Sequence, residues 1–94
     1  MGYRDVQDHP RFSIHEFSDD LEKVKNYISG VQASGGGDFP EDVQGGFHKA
    51  LQMNWNEGAI KSAFHIFDAP GHGKDICPDG HDNHPKGSPD GHRI

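Results

Sequence analysis

The chain is poor in the features that define several large classes of protein. It has one cysteine, Cys77, so no disulfide can form within it. None of its apolar runs approaches the roughly 20 residues that a membrane-spanning helix needs, and residues 1–4 are too polar for the core of a signal peptide. We therefore expect a soluble chain and a cytoplasmic location, although a piece of a secreted protein would have the same composition because its signal would lie upstream.

Basic charge and apolar side chains are also scarce. Nine Lys and Arg stand against fifteen Asp and Glu, for a net charge of −6. The basic residues are scattered, which argues against nucleic acid as a partner. Apolar residues make up 31% of 94 residues, and 13 more are glycine. The free energy gained by burying so few apolar side chains only marginally offsets the entropy lost when the backbone becomes ordered. We expect one small domain of low stability, or one that depends on a partner.

The first half of the chain predicts a hairpin followed by two helices. Two short strands, over residues 2–5 and 11–17, flank a turn-prone stretch at residues 8–10. Apolar positions at helical intervals after a capping-box pair predict a first helix over residues 19–31. A second helix is predicted from Pro40 towards Trp55, and Gly45 and Gly46 inside it are either a weakness of the helix or a place where another element packs close.

The second half divides into an apolar run and a tail. Residues 59–67 are almost continuously apolar, which is typical of a strand covered on both faces, and we predict a central strand there. After Pro70, glycine, proline, aspartate and histidine dominate. We therefore divide the chain into residues 1–70, the folded part, and residues 71–94, a loop or disordered tail.

Two aspartates are predicted to meet at one edge of the sheet. If the second helix leads back into a parallel strand, Asp38 before that helix and Asp68 after the strand share an edge, where open α/β sheets bind ligands. Asp5, which closes the first strand, is a third candidate for the same edge. Carboxylates beside a glycine-rich backbone suit Mg²⁺. The alternative is that Asp38, with Glu41 and Asp42, only stabilises a helix start.

Several motifs along the chain resemble a known family. They are Gly2-Tyr3-Arg4-Asp5, Gly35-Gly36-Gly37-Asp38-Phe39-Pro40-Glu41-Asp42-Val43, Gly46, Ala50-Leu51, Trp55, His65-Ile66-Phe67-Asp68-Ala69-Pro70, His72-Gly73, and the stretch from Asp82 to Gly91. Together they resemble von Willebrand factor A (VWA) domains of the subfamily found beside alpha-kinases and in hemicentin-like proteins. The resemblance covers nearly the whole chain and implies that residues 1–70 are the central part of a VWA-like domain.

The resemblance implies a fold, a cofactor and a partner. The fold would be an α/β, partial doubly wound (Rossmann-like) VWA sheet with one antiparallel edge strand. The family's metal-ion-dependent adhesion site would include Asp38, where most members have threonine, and Asp68. Its first loop, Asp-x-Ser-x-Ser, is absent, so Mg²⁺, or Ca²⁺ or Mn²⁺, is expected to bind weakly or not at all. The expected partner is a protein, recognised through an acidic side chain, and self-association would cover an exposed sheet edge.

Three other hypotheses remain beside a binding module without enzymatic activity. The chain could be a regulatory or targeting segment of an alpha-kinase-type Ser/Thr protein kinase. Alternatively, the tail could hold zinc for a small hydrolase; its candidate ligands are His72, Cys77, His81, His84 and His92. Cys77 as a nucleophile would need an oriented base, and no Cys-His-Asn pattern supplies one.

Overall fold

A short antiparallel hairpin opens the fold. The computed structural model describes residues 1–78, 80–89 and 91. Strand β1, Gly2–Tyr3, pairs antiparallel with strand β2, Phe12–Ser13. Beyond the paired residues, the Arg4 amide donates to the Arg11 carbonyl at 2.8 Å. The predicted hairpin is confirmed, but its second strand is shorter than the alternation over residues 11–17 indicated.

Both predicted helices form, and each begins at an aspartate cap. Helix α1 spans Leu21–Gly30, and the side chain of Asp20 accepts hydrogen bonds from the first turn. Helix α2 spans Val43–Leu51 and is capped by Asp42. Each cap lies one or more residues after the predicted start, because a side-chain acceptor for free N–H groups fixes where a helix begins.

Helix α2 lies directly against the hairpin. A Cβ added at Gly46 would come within 2.9 Å of the Tyr3 ring, so only glycine permits this approach. After the helix ends, the Trp55 indole N–H donates to the Ala50 carbonyl at 2.7 Å. The expectation that the glycine pair marks a close approach is therefore confirmed at Gly46.

The predicted central strand does not form. Residues 59–67 contain no strand, and Ile60, Phe64 and Ile66 are 98%, 94% and 90% exposed. A strand covered on both faces needs neighbouring strands and helices on both sides. Within the described ranges the sheet has two strands, β1 and β2, so nothing covers this run and the prediction is wrong.

One parallel contact joins the start of α2 to the end of the apolar run. Glu41 and Gly71 form a parallel bridge, and the Glu41 amide donates to the Pro70 carbonyl at 2.8 Å. This contact brings the residues after Pro70 next to α2. The wider doubly wound sheet stays a prediction.

The segment after Pro70 forms turns and loops and lies against the rest of the fold. His72, Cys77 and Ser88 are buried in it. Its carbonyl at His81 accepts from the Phe39 amide at 3.3 Å. Polar contacts thus hold this segment in place, although its composition offers few apolar side chains. Across the described residues, helices are too short and too polar to cross a membrane.

Candidate functional site

His72 lies at the centre of a buried polar group. Its side chain is 0% exposed and uses both ring nitrogens. Nε2 lies 2.5 Å from Oδ1 of Asp5, and Nδ1 lies 2.7 Å from Oδ1 of Asp82. Asp5 follows β1, whereas His72 and Asp82 belong to the segment after Pro70. The group therefore joins the N-terminal hairpin to the segment after Pro70.

Asp5 is fixed by the turn that follows β1. Its Oδ1 accepts from the Val6 amide at 2.7 Å, and its Oδ2 accepts from Nε2 of Gln7 at 2.5 Å. The residue is almost fully buried. Because neighbouring donors hold both oxygens, the carboxylate faces His72 in one orientation.

Asp82 is fixed in a similar way by backbone donors. Its Oδ2 accepts from the Gly73 amide at 2.8 Å, and its Oδ1 accepts from the His84 amide at 2.7 Å. The His84 ring also contacts the His72 ring edge-on, with 4.9 Å between centroids. Asp82 therefore orients the imidazole of His72 from the side opposite Asp5.

Asp38 brings a second carboxylate to the group. Its side chain is 3% exposed, and its Oδ2 lies 3.9 Å from Nδ1 of His72 and accepts from the Asn83 amide at 2.7 Å. Its Oδ1 is buried without a hydrogen-bond partner among the described residues, as is Oε2 of Glu41. One potential ligand atom each from Asp5, Asp38 and His72 lies within 4.8 Å of the other two.

The pKa values in the group are displaced in opposite directions. Burial raises the pKa of Asp38, and the adjacent Asp5 raises it further. Burial would also raise the pKa of Asp5, but its hydrogen bonds with His72, Val6, Asp38 and Gln7 together outweigh burial and the pKa is lowered. For His72, burial lowers the pKa, and the bonds to Asp5 and Asp82 outweigh that effect, so the pKa is raised. Positive charge is thus favoured at the centre of the group, and a second negative charge at Asp38 is disfavoured.

Glu41 extends the acidic surroundings. Burial raises the pKa of its carboxyl, and the nearby carboxylates of Asp5, Asp8 and Asp38 raise it further. Several carboxyl groups therefore lie close together, and the nearby positive charge that offsets their repulsion is that of His72. Such a set of oxygen and imidazole donors is suited to a cation.

The two aspartates predicted as metal ligands have different surroundings. Asp38 belongs to the buried group, whereas Asp68 is exposed and lies outside it. Asp5, the third candidate for that edge, is in the group. The joint role of Asp38 and Asp68 stays a prediction.

The histidine-rich tail contributes one ligand to the group. His72 joins the two aspartates, while Cys77 is buried outside that group and His81 is exposed. His84 contacts the ring of His72, and His92 lies outside the described residues. The sequence grouped His72 with other residues of the tail and not with Asp5 and Asp38, and it did not single out Asp82. The separation of 67 positions between Asp5 and His72 gives no local signal for their contact.

Comparisons with known proteins find a similarity to a protein kinase. No family model matches the chain, and no solved structure matches it. The chain is similar to an alpha-protein kinase, vwkA, from Dictyostelium discoideum, with 34% identity over 84 residues. The aligned region covers 89% of this chain and 13% of the relative, so the chain spans about an eighth of that protein's length.

Proposed function

We propose that the chain is a VWA-type protein-recognition module and is not itself an enzyme. The motifs that resemble VWA domains support the module type. The similarity to one part of an alpha-protein kinase is compatible with a module that accompanies other domains. The exposed apolar run over residues 59–67 carries the proposal, because an apolar surface of this kind marks a site of protein contact.

The side chains of the run differ in their contacts with the rest of the fold. Ile60, Phe64 and Ile66 occupy even-numbered positions and are almost fully exposed. Between them, His65 contacts the fold: its Nε2 lies 2.7 Å from the Tyr3 hydroxyl, and its ring lies 5.0 Å from that of Phe47. His65 therefore holds the run against this protein, while the exposed side chains of Ile60, Phe64 and Ile66 are available to a partner.

The backbone of the run is available as well. Within the described part of the chain, residues 60–69 make no backbone–backbone hydrogen bond. Unpaired backbone groups beside apolar side chains form a template for another strand. We propose that the occupant is an extended apolar segment of a protein partner, which adds as a strand and covers the exposed face.

The Mg²⁺ site implied by the resemblance has less support. Asp38 offers a buried oxygen without a partner, but Asp68 is exposed and lies outside the grouped ligand atoms. Mg²⁺ demands near-octahedral oxygen coordination, and these two residues do not fit it here. The proposed recognition therefore includes no step through Mg²⁺.

A second candidate function follows from the similarity to the kinase. The chain could be a regulatory or targeting segment of an alpha-kinase-type Ser/Thr protein kinase. The adjoining reading frame separates the two functions. A kinase domain encoded on the same transcript favours this second candidate, and a frame without one favours an independent recognition module.

A charged side chain in the run is expected to weaken strand addition. The probe is a synthetic nine-residue peptide of alternating valine and threonine, and its binding is followed by fluorescence anisotropy. Phe64→Lys should weaken binding by about tenfold or more, because it replaces an aromatic anchor with a charge. The amides of residues 60–67 should become protected from hydrogen exchange when the peptide binds.

The matched control is Ile28→Lys, which changes another exposed apolar residue, on helix α1. It should leave peptide binding unchanged. Equal weakening by both variants, or unprotected amides in the complex, would contradict strand addition at this run. A wild-type dimer that Phe64→Lys dissociates would show that a second copy of the chain occupies the run, and would overturn the proposed partner.

A further inference from the structure

We propose that Asp5, Asp38 and His72 bind a divalent transition-metal ion, and that Asp82 is the residue that orients His72. This inference does not depend on strand addition at residues 59–67. It also differs from the expected Mg²⁺ site, because it replaces the exposed Asp68 with Asp5 and His72. Two carboxylates and one imidazole would hold the ion, and the open position would hold water.

The ligand atoms already lie close together. One atom from each of the three side chains lies within 4.8 Å of the others. Oxygen and imidazole ligands lie about 2.0–2.2 Å from zinc, so two ligands of one ion are separated by at most about 4.4 Å. Binding would require Nε2 of His72 and Oδ1 of Asp5, which lie 2.5 Å apart, to separate, and the most distant pair of ligand atoms to close to within that limit.

The orientation of His72 also suits a ligand. Asp82 lies at hydrogen-bond distance from Nδ1, and Nε2 is directed at Asp5 with one proton between the two atoms. A carboxylate that holds the far nitrogen of a histidine is the usual support of a metal-bound imidazole. Backbone amides of Gly73 and His84 fix Asp82 in turn. A cation between Nε2 and the Asp5 carboxylate would replace the proton that these two atoms share.

The burial of Asp38 also suits a cation. Its Oδ1 has no N–H or hydroxyl donor among the described residues, on a side chain that is 3% exposed, and its carboxyl neighbour is that of Asp5. Oε2 of Glu41 is also buried without a donor among the described residues. A buried carboxylate oxygen without a donor is costly. A metal ion would satisfy Asp38 and would also reduce its repulsion with Asp5.

The donor set selects the class of metal. Imidazole is a ligand that zinc, copper, iron and nickel favour, whereas Mg²⁺ favours oxygen ligands in a regular octahedron. Cys77 lies outside the group, so no thiolate contributes. We therefore expect Zn²⁺ to bind and Mg²⁺ to compete poorly.

Calorimetric titration of the full 94-residue chain with zinc chloride tests the site. The expected result is one equivalent of Zn²⁺ that a hundredfold excess of Mg²⁺ does not displace. Asp38→Asn keeps the size of the side chain and removes a ligand charge, and should weaken binding at least tenfold. Asp82→Asn should weaken binding by about 10–100-fold, the usual effect of losing such a support.

Controls separate this site from binding by surface histidines. His81 is exposed and outside the group, so His81→Asn should change the affinity less than twofold. Asp38→Asn should also raise the melting temperature of the metal-free chain, because it removes a buried carboxylate charge beside Asp5. Absence of stoichiometric Zn²⁺, displacement by Mg²⁺, or equal losses in the His81 and Asp38 variants would overturn the proposal. If the Asp38 variant does not fold, the zinc affinity of the Asp82→Asn variant is compared with that of the His81→Asn variant. Equal losses of affinity in these two variants would overturn the proposal.

Discussion

Asp42→Ala is expected to lower the free energy of unfolding by about 3 kcal/mol, because it breaks a largely buried ion pair. Asp42 is 0% exposed, and its Oδ2 lies 2.6 Å from Nη2 of Arg11. Its Oδ1 accepts from the Gly45 amide at 3.0 Å and from the Ser88 hydroxyl. Loss of one carboxylate thus removes a helix cap, an ion pair and a contact with the C-terminal segment. The change is large for a protein of ordinary stability.

Two controls divide that effect into its parts. Asp20→Ala removes only the exposed cap of α1 and should lower the free energy of unfolding by about 1 kcal/mol. Asp42→Asn keeps an oxygen that can cap α2 but loses the charge opposite Arg11, and should give an intermediate loss. Urea unfolding followed by circular dichroism measures all three variants. Equal losses in the Asp42→Ala and Asp20→Ala variants would show that the buried contacts do not stabilise the fold.

His72→Ala is expected to destabilise the metal-free chain by about 3–5 kcal/mol, the usual result of leaving a buried charge without its partner. The substitution removes the group that bridges Asp5 and Asp82 and leaves a cavity between them. The hairpin and the segment after Pro70 would also lose the hydrogen bond between His72 and Asp5 that joins them. Thermal unfolding in the presence of EDTA measures the loss without a contribution from bound metal.

The neighbouring His84 provides the control for this substitution. It contacts the ring of His72 but is only half-buried and bridges no carboxylates among the described contacts. His84→Ala should therefore cost no more than about 1 kcal/mol, as is usual for residues outside such networks. A loss as large as that of His72→Ala would indicate that ring packing, and not the ion pairs, stabilises this region.

Local patterns predicted the first half of the fold well. The turn-prone residues 8–10 and the alternation after them indicated the hairpin, and apolar spacing indicated both helices. The caps were placed less accurately, since acidic residues crowd each helix start and only the backbone path selects Asp20 and Asp42. Of the two interpretations of the pair Gly45–Gly46, the close approach holds at Gly46, because the ring of Tyr3 leaves no space for a Cβ there.

Long-range packing accounts for what the sequence did not reveal. The run over residues 59–67 has the composition of a buried strand, but a strand depends on neighbours that the described fold does not provide. The segment after Pro70 has the composition of a disordered tail, yet His72 and Asp82 hold it through hydrogen bonds. Apolar periodicity gives no information about such polar contacts. Asp38 could be singled out from its glycine-rich context. The residues that contact it could not be identified from the sequence, because the tertiary fold brings them together.

Two separate features thus account for the proposed functions. The apolar run offers backbone and side chains to an extended protein segment, and the Asp5–Asp38–His72 group offers ligands to a cation. The group also connects the hairpin to the C-terminal segment, so metal binding is expected to stabilise the fold by mass action. A recognition module that accompanies a larger protein would gain a defined shape from such an ion.

Nitrogen-15 NMR of the histidine rings, during titration with zinc chloride, tests most directly whether His72 is the centre of a metal site. One equivalent of Zn²⁺ should shift Nε2 of His72 to the position of a metal-bound nitrogen, while Nδ1 keeps its proton for Asp82. The exposed histidines, such as His81, should remain unchanged at that ratio. Shifts spread over the exposed histidines, with the ring of His72 unaffected, would contradict the account.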